Sequence, residues 1–186
     1  LTYDRAIAKI DPEVLLAANR GVFPGPPMKI ILADAMIGRT KWRYTVERPG
    51  EDWFQPEYDA SAWAEGIGGF GSEGTPGSYP NTPWKTADIW LRRDFVLSSE
   101  DLADLVLRIY HDEDVSVYLN GVLAVKLKGY ATDYEEYPIS REAAATLRPG
   151  NNTIAVHCLQ TTGGQGVDVG ILAPQRVAAE PEAEAN

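Results

Sequence analysis

Seven side chains in this sequence have the chemistry of a sugar-binding site, and they occur in segments rich in turn-forming residues. Three are aromatic, two are carboxylates and two are amides: Tyr79, Trp84, Tyr130, Asp112, Asp133, Gln160 and Gln165. Aromatic rings cover the apolar C–H face of a sugar, while carboxylates and amides pair with its hydroxyl groups. The combination predicts a carbohydrate-binding site. A structural role stays open for Trp84, as a plug beneath its loop, and for Asp112, as an acceptor for backbone N–H groups.

Catalytic chemistry has weaker support in the sequence. The chain has two histidines, His111 and His157, so a His-rich metal cluster cannot be built. No Ser-His-Asp combination resembles a nucleophile elbow. The acidic turn 112–114, together with Asp133, could supply the two opposed carboxylates of a glycosidase, but adjacent acids on one turn indicate this only weakly. We therefore interpret the chain as non-catalytic. A small hydrolase that uses the acidic turn stays open as the least favoured alternative.

The elements that must position these side chains are short β-strands. Residues 115–119 alternate apolar and polar side chains, and Asn120-Gly121 then provides two residues suited to a tight hairpin. Ser140 can cap a short helical turn that runs through Thr146. The same alternation predicts strands at 42–46, 89–97, 105–110, 115–119, 122–127, 153–159 and 167–172. This pattern predicts an all-β fold, an antiparallel sandwich or jelly roll.

Strand direction predicts where the candidate residues meet. Consecutive antiparallel strands alternate in direction, so their connections alternate between the two ends of the sandwich. Counting along the predicted strands brings four loops to one end: 66–87, 111–114, 128–136 and 160–166. The first of these is long and rich in glycine, which is typical of functional loops. We expect a binding site at this end.

The two termini read differently from the central sandwich. Residues 1–36 predict an N-terminal helix and linker, because Asp11 can cap a helix that continues to Arg20. Residues 37–173 form the predicted β-sandwich. Residues 174–186 are rich in Ala, Glu and Pro without an apolar period, which predicts a disordered acidic tail.

Composition excludes several classes of partner. The formal net charge of −10 argues against nucleic acid and against an anionic membrane surface. The single cysteine, Cys158, shares a strand face with Ile154 and Val156, which predicts core packing rather than catalysis. A calcium ion is a minor candidate, since carboxylates are suitable ligands but no calcium loop of fixed spacing is present.

An ordered series of motifs resembles a known fold family. The motifs are Trp42, Trp53, the run 58–63 (YDASAW), 70–71 (FG), 88–95 (DIWLRRDF), 115–121 (VSVYLNG) and 149–156 (PGNNTIAV). Together they resemble a galactose-binding-like jelly roll, in particular the sugar-binding β-sandwich domains of family 2 and related bacterial glycoside hydrolases. The resemblance covers about residues 37–173. It implies structural roles for Trp63, Trp90, Phe95 and the Asn120-Gly121 turn.

The resemblance also implies a functional context. In that superfamily, loops at one end of the sandwich often hold the ligand, and a structural Ca²⁺ is frequent. We therefore expect a non-catalytic carbohydrate-binding module of a bacterial polysaccharide-degrading enzyme, joined to a catalytic domain and located outside the cell or in the periplasm. The alternative is an accessory sandwich that braces the catalytic domain and binds no sugar. It predicts an exposed apolar patch on one sheet face.

Overall fold

The computed structural model describes residues 27–175 as a β-sandwich. The helix expected before Arg20 and nearly all of the expected tail lie outside these residues. Of the two compact units into which the chain divides, the unit Lys29–Pro174 lies wholly within the described residues. The strands are β1 Met28–Leu32, β2 Lys41–Thr45, β3 Ala64–Ile67, β4 Phe70–Gly71, β5 Thr82–Pro83, β6 Asp88–Leu97, β7 Val106–Asp112, β8 Asp114–Leu119, β9 Val122–Leu127, β10 Glu135–Pro138, β11 Gly150–Leu159 and β12 Gly166–Pro174. A 3-10 turn spans Ser99–Leu102, and helix α1 spans Arg141–Ala144.

The strands form two sheets. The first sheet has the order β10-β7-β12-β4-β5, with β1 also paired to β12. The second sheet has the order β3-β2-β6-β11-β8-β9. Long central pairs such as β6–β11 and β7–β12 are antiparallel, whereas the short β4–β5 pair is parallel. The predicted all-β antiparallel sandwich is confirmed.

The apolar core lies between the sheets because each strand turns alternate side chains inward. On β11, the inward side chains of Ile154, Val156 and Cys158 are all fully buried. The prediction that Cys158 packs in the core is therefore confirmed. Burying each such aliphatic side chain stabilises the fold by about 1.5–3 kcal/mol. Strand β6 contributes Ile89, Leu91, Phe95 and Leu97 to the same core.

The hairpin between β8 and β9 has the predicted geometry. Asn120 and Gly121 both have positive φ, +46° and +84°, as a tight turn of this kind requires. The Asn120 side chain also donates to Oδ1 of Asn152 and accepts from the backbone N–H of Thr153, each at 2.8 Å. The turn is thus bonded to β11 as well as to its own strands. Ser140 caps α1 by accepting from the backbone N–H of Ala143, as expected.

Strand registers place the four predicted loops at one end of the sandwich. Asp112 of β7 lies opposite Gly166 of β12, which also lies opposite Gly71 of β4. On the second sheet, Leu159 lies opposite both Asp88 and Asp114. The loops that follow or precede these residues must therefore share an end, and the prediction from strand direction is confirmed. We call this the upper end, formed by residues 72–87, 113, 128–134 and 160–165.

Several elements differ from the expected pattern. Strand β1 lies within residues 1–36, where the sequence predicts a helix and a linker. Strand β10 lies in the segment expected to be a loop. The residues between β2 and β3 pack on the outer face of the second sheet, where Trp53 meets Tyr118 and Trp63 meets Tyr58. Trp63, expected in the core, is half-buried in this outer cluster instead.

Candidate functional site

A cavity of about 320 Å³ opens at the upper end of the sandwich. Each of the four loops expected to meet there contributes to its walls. The lining residues are Pro76, Tyr110, Asp112, Glu113, Tyr130, Ala131, Thr132, Thr162, Gly163 and Gly164. The cavity therefore brings together two of the seven predicted site residues, Asp112 and Tyr130.

The Asp112 carboxylate is the most unusual group in this cavity. Asp112 is 9% exposed, and its carboxylate accepts no hydrogen bond from the residues of the described range 27–175. Burial raises the pKa of this carboxyl above its usual value, and the nearby charge of Glu113 raises it further. The carboxylate oxygens are not sealed from solvent, so they are available to water or to a donor that enters the cavity.

Backbone pairing fixes Asp112 in place. The residue ends β7, opposite Gly166, and it also forms an isolated bridge with Tyr130. Next to this bridge, the backbone N–H of Ala131 donates to the carbonyl of His111 at 2.9 Å. Gly164 lies so close that a Cβ built on it would be 2.6 Å from Oδ2 of Asp112. The Asp112 backbone is thus paired on both sides, and its carboxylate lies against Gly164.

Tyr130 and Glu113 form the more exposed part of the wall. Tyr130 is 68% exposed, so one of its ring faces is available to an apolar ligand surface. Glu113 is half-buried and accepts hydrogen bonds from the hydroxyl groups of Thr161 and Thr162. These bonds tie loop 160–165 to the acidic turn. An aromatic face beside an available carboxylate is a suitable arrangement for a sugar ring.

Trp84 does not belong to this cavity. Its side chain is 2% exposed and packs in the core between the sheets. The indole N–H donates to Oγ1 of Thr86 at 2.9 Å and to the carbonyl of Asp88 at 3.2 Å. No ring face is left for a ligand, so the expectation that Trp84 stacks on a sugar is corrected. Trp84 is the structural plug, the alternative that the sequence left open.

The two predicted glutamines hold loops together rather than line the cavity. Gln165 is buried, and its amide nitrogen donates to the carbonyl of Thr86 at 2.6 Å. The amide nitrogen of Gln160 donates to the carbonyls of Thr162 and Gly164. Both side chains therefore fix the loops that carry the cavity wall through their amide nitrogens, while Oε1 of Gln160 is buried without a donor among the described residues.

Tyr79 and Asp133 lie outside the cavity wall. Tyr79 is 51% exposed, and its ring centroid is 6.0 Å from that of Tyr134. The Asp133 carboxylate accepts from the backbone N–H of Tyr134 at 2.7 Å and is otherwise exposed. The structure thus brings Asp112 and Tyr130 together and leaves the other five predicted residues in different surroundings.

Solved structures of bacterial enzymes share this fold. A family 2 glycosyl hydrolase from Bacteroides cellulosilyticus superposes with a TM-score of 0.52 at 16% identity, covering 72% of this chain and 19% of that enzyme. A Bacteroides uniformis β-glucuronidase gives 0.53 at 16% identity, covering 80% and 18%. A Bifidobacterium dentium β-glucuronidase gives 0.51 at 18% identity, covering 75% and 21%. The chain has the fold of a small domain of family 2 glycoside hydrolases.

The likeness to family 2 glycoside hydrolases is one of structure. No protein-family model matches the sequence, and no curated protein matches it either. The chain spans about a fifth of each of these enzymes, so it corresponds in size to one domain and not to a whole enzyme. The comparisons therefore confirm the fold that the sequence motifs resemble.

A buried carboxylate, that of Asp168, stabilises the sandwich, although Asp168 was not among the residues singled out in the sequence. Asp168 of β12 is 2% exposed and accepts from the backbone N–H groups of Ala35 and Gly69 and from the hydroxyl of Tyr134, at 2.6, 3.0 and 2.8 Å. Burial raises its pKa to about 6. The signal in the sequence is an aspartate inside the apolar run 167–173. Asp168 holds three loops and lies outside the cavity wall.

The described residues give no metal site for this domain. Between residues 27 and 175, no group of three or more His, Cys, Asp or Glu side chains is arranged to hold a metal ion. Calcium, a minor candidate from the sequence, therefore has no assigned ligand set among these residues. Within the same range, no helix is long and apolar enough to span a membrane.

Proposed function

We propose that this chain is a carbohydrate-binding domain of a bacterial glycoside hydrolase and that it holds a sugar in the cavity at its upper end. One observation carries the proposal. The carboxylate of Asp112, a residue that is 9% exposed overall, lines a cavity without a hydrogen-bond donor from the described residues, and the exposed ring of Tyr130 lines the same cavity. A neighbouring catalytic domain and a location outside the cell or in the periplasm belong to the same proposal.

The chemistry of the wall suits a sugar ring. A carboxylate accepts from two hydroxyl groups at once, and charge assistance makes these bonds stronger than neutral ones. The Tyr130 ring covers the apolar face of the sugar. Most hydroxyl bonds replace bonds to water, so a single shallow site should bind weakly, with a Kd on the order of 1 mM, or about −4 kcal/mol.

The solved relatives supply a carbohydrate context. The Bifidobacterium dentium β-glucuronidase was solved as a complex with coumarin-3-O-glucuronide, a sugar conjugate. That ligand belongs to the whole enzyme, of which the present fold is about a fifth. An accessory domain that binds neutral sugar units of a polysaccharide would keep that polysaccharide near the catalytic domain and raise its effective concentration, without itself binding the glucuronide.

A second candidate function is that of a brace for a neighbouring domain. The observation in its favour is a set of exposed apolar side chains, which includes Ile30, Met36 and Ile37 at 51%, 45% and 42% exposure. Exposed apolar surface of this kind can pack against another domain. A brace does not require an available buried carboxylate beside an exposed aromatic ring, so the sugar-binding role has the better support.

A glycan panel tests the proposal. The folded chain should be screened by NMR against neutral and acidic oligosaccharides and polysaccharides, with and without Ca²⁺. We expect a weak but saturable interaction with at least one sugar, and its dependence on Ca²⁺ tests the calcium prediction. If the folded chain binds no member of a broad panel, the sugar-binding role is wrong and the brace becomes the better account.

A further inference from the structure

The charges at the cavity have one sign. Its two ionisable carboxylates are Asp112 and Glu113, and no lysine or arginine is among the residues that line it. Besides Glu113, the titratable neighbour of the Asp112 carboxyl is His111, and no lysine or arginine is among its neighbours in the described range. His111 is buried, and its Nδ1 lies 2.5 Å from the carbonyl of Glu113, so that nitrogen is already engaged. A ligand therefore enters a negative field.

We infer that the cavity selects neutral sugars and rejects sugars that carry a carboxylate or a sulfate group. This inference rests on the proposed function. When ionised, Asp112 and Glu113 can only accept hydrogen bonds, so they pair with hydroxyl donors and have no donor to offer an anionic group. Proteins recognise carboxylates most effectively with the two-pronged guanidinium of arginine, which is absent from this wall.

The expected difference in affinity between neutral and anionic sugars follows from electrostatics. A uronic acid replaces one hydroxymethyl group with a carboxylate, so it adds a unit negative charge within several ångströms of Asp112. At the effective dielectric of a protein surface, repulsion between unit charges at such distances weakens binding roughly tenfold or more. The formal net charge of −10 also repels anionic sugars, over a longer range at which salt screens the repulsion.

Matched sugar pairs test this inference. Methyl glycosides of glucose, galactose and mannose should each be compared with the corresponding methyl uronide by NMR titration of the folded chain. We expect the neutral member of the bound pair to bind at least tenfold more tightly at low ionic strength. High salt should reduce this difference in affinity, because salt partly screens the repulsion between the uronide and the carboxylates.

Two variants test whether the charge of the cavity, and not its shape, causes the preference for neutral sugars. Glu113→Gln removes one negative charge and keeps an oxygen for the hydroxyl of Thr161, so we expect the gap between neutral sugar and uronide to narrow several-fold. Glu142→Gln removes the same charge from helix α1, at the opposite end of the sandwich, and should leave the gap unchanged. Thermal melting of both variants checks that the fold is retained.

The outcomes distinguish this inference from the function on which it rests. A uronide that binds as tightly as its neutral partner, or a gap that Glu113→Gln does not narrow, overturns the charge selection alone. If the folded chain binds no member of the broad glycan panel, the proposed function falls, and the inference falls with it.

Discussion

Gly164 lies directly against the Asp112 carboxylate, and this contact shapes the candidate site. A Cβ built on Gly164 would be 2.6 Å from Oδ2 of Asp112 and 2.7 Å from Cγ2 of Thr75. The close approach lets loop 160–165 close over the end of β7 while the carboxylate still faces the cavity. A side chain at this position would push the Asp112 carboxylate and the Thr75 side chain aside, so glycine suits the close approach.

Replacing this glycine should damage binding more than folding. In Gly164→Ala the added methyl group must displace the Asp112 carboxylate, so we expect sugar affinity to fall at least tenfold. The backbone of Gly164 does not have positive φ, so the cost to stability is that of overpacking alone, about 1–3 kcal/mol. NMR titration measures the first effect and thermal unfolding the second. Normal affinity in this variant would contradict the placement of Asp112 in the site.

Trp84 should behave as a core residue. Trp84→Ala removes a fully buried side chain and its hydrogen bonds, so we expect the free energy of unfolding to fall by about 3–5 kcal/mol. Tyr79→Ala is the matched control, because that ring is half exposed at the same end. Denaturant unfolding should show a loss below about 1 kcal/mol for the control. Similar losses in both variants would contradict the assignment of Trp84 as the plug.

Asp168 should make stability depend on pH. Its pKa rises from 3.8 when unfolded to about 6 when folded, so the folded state binds the extra proton between these values. The contribution of this group to stability is therefore greatest below about pH 4, declines as the pH rises to about 6, and is constant above that. Asp168→Asn removes this titration, although the amide leaves one backbone N–H without its acceptor. The stability difference between wild type and variant, measured by denaturant unfolding from pH 4 to pH 7, should shrink as the pH rises. A difference that does not change with pH would contradict the raised pKa.

Arg92 should hold the outer aromatic cluster on the second sheet. Its guanidinium donates to the backbone carbonyls of Trp53, Pro56 and Tyr58, and it lies 5.4 Å from the Tyr58 ring centroid. Arg92→Leu leaves these carbonyls without their donor, so we expect a loss of about 2–4 kcal/mol and a change in tryptophan fluorescence. Arg141→Leu, at an exposed position, is the control. An unchanged unfolding curve for Arg92→Leu would show that the cluster does not depend on this side chain.

Local pattern was enough to predict the strands that form the centre of the sandwich. The alternation in residues 115–119 and the Asn120-Gly121 turn have local causes, namely the side-chain period of a strand and the tolerance of positive φ. The alternating direction of the strands then predicted that the four loops lie at one end of the sandwich. These features are determined by residues close together in the sequence, so the sequence is enough to predict them.

Features that depend on distant partners could not be predicted in this way. The positions of Trp84 and Asp168 depend on residues tens of positions away along the chain, such as Ala35 and Gly69 for the Asp168 carboxylate. Strand β10 has two glutamates and ends in proline, so its composition resembles a loop, and it forms as an edge strand because β7 offers a free side. The sequence correctly predicted that the four loops share one end of the fold, and two of the seven predicted site residues line the cavity there.

The most direct test of the account is a sugar titration of the wild-type chain beside the double variant Asp112→Asn, Tyr130→Ala, followed by NMR. With the best sugar from the panel, we expect wild-type shift changes at residues 112–113, 130–132 and 162–164, and binding at least tenfold weaker in a double variant of unchanged melting temperature. Tyr79→Ala, as the control, should bind like wild type. Undiminished binding by the double variant, or shift changes confined to another surface, would contradict a sugar site at this cavity.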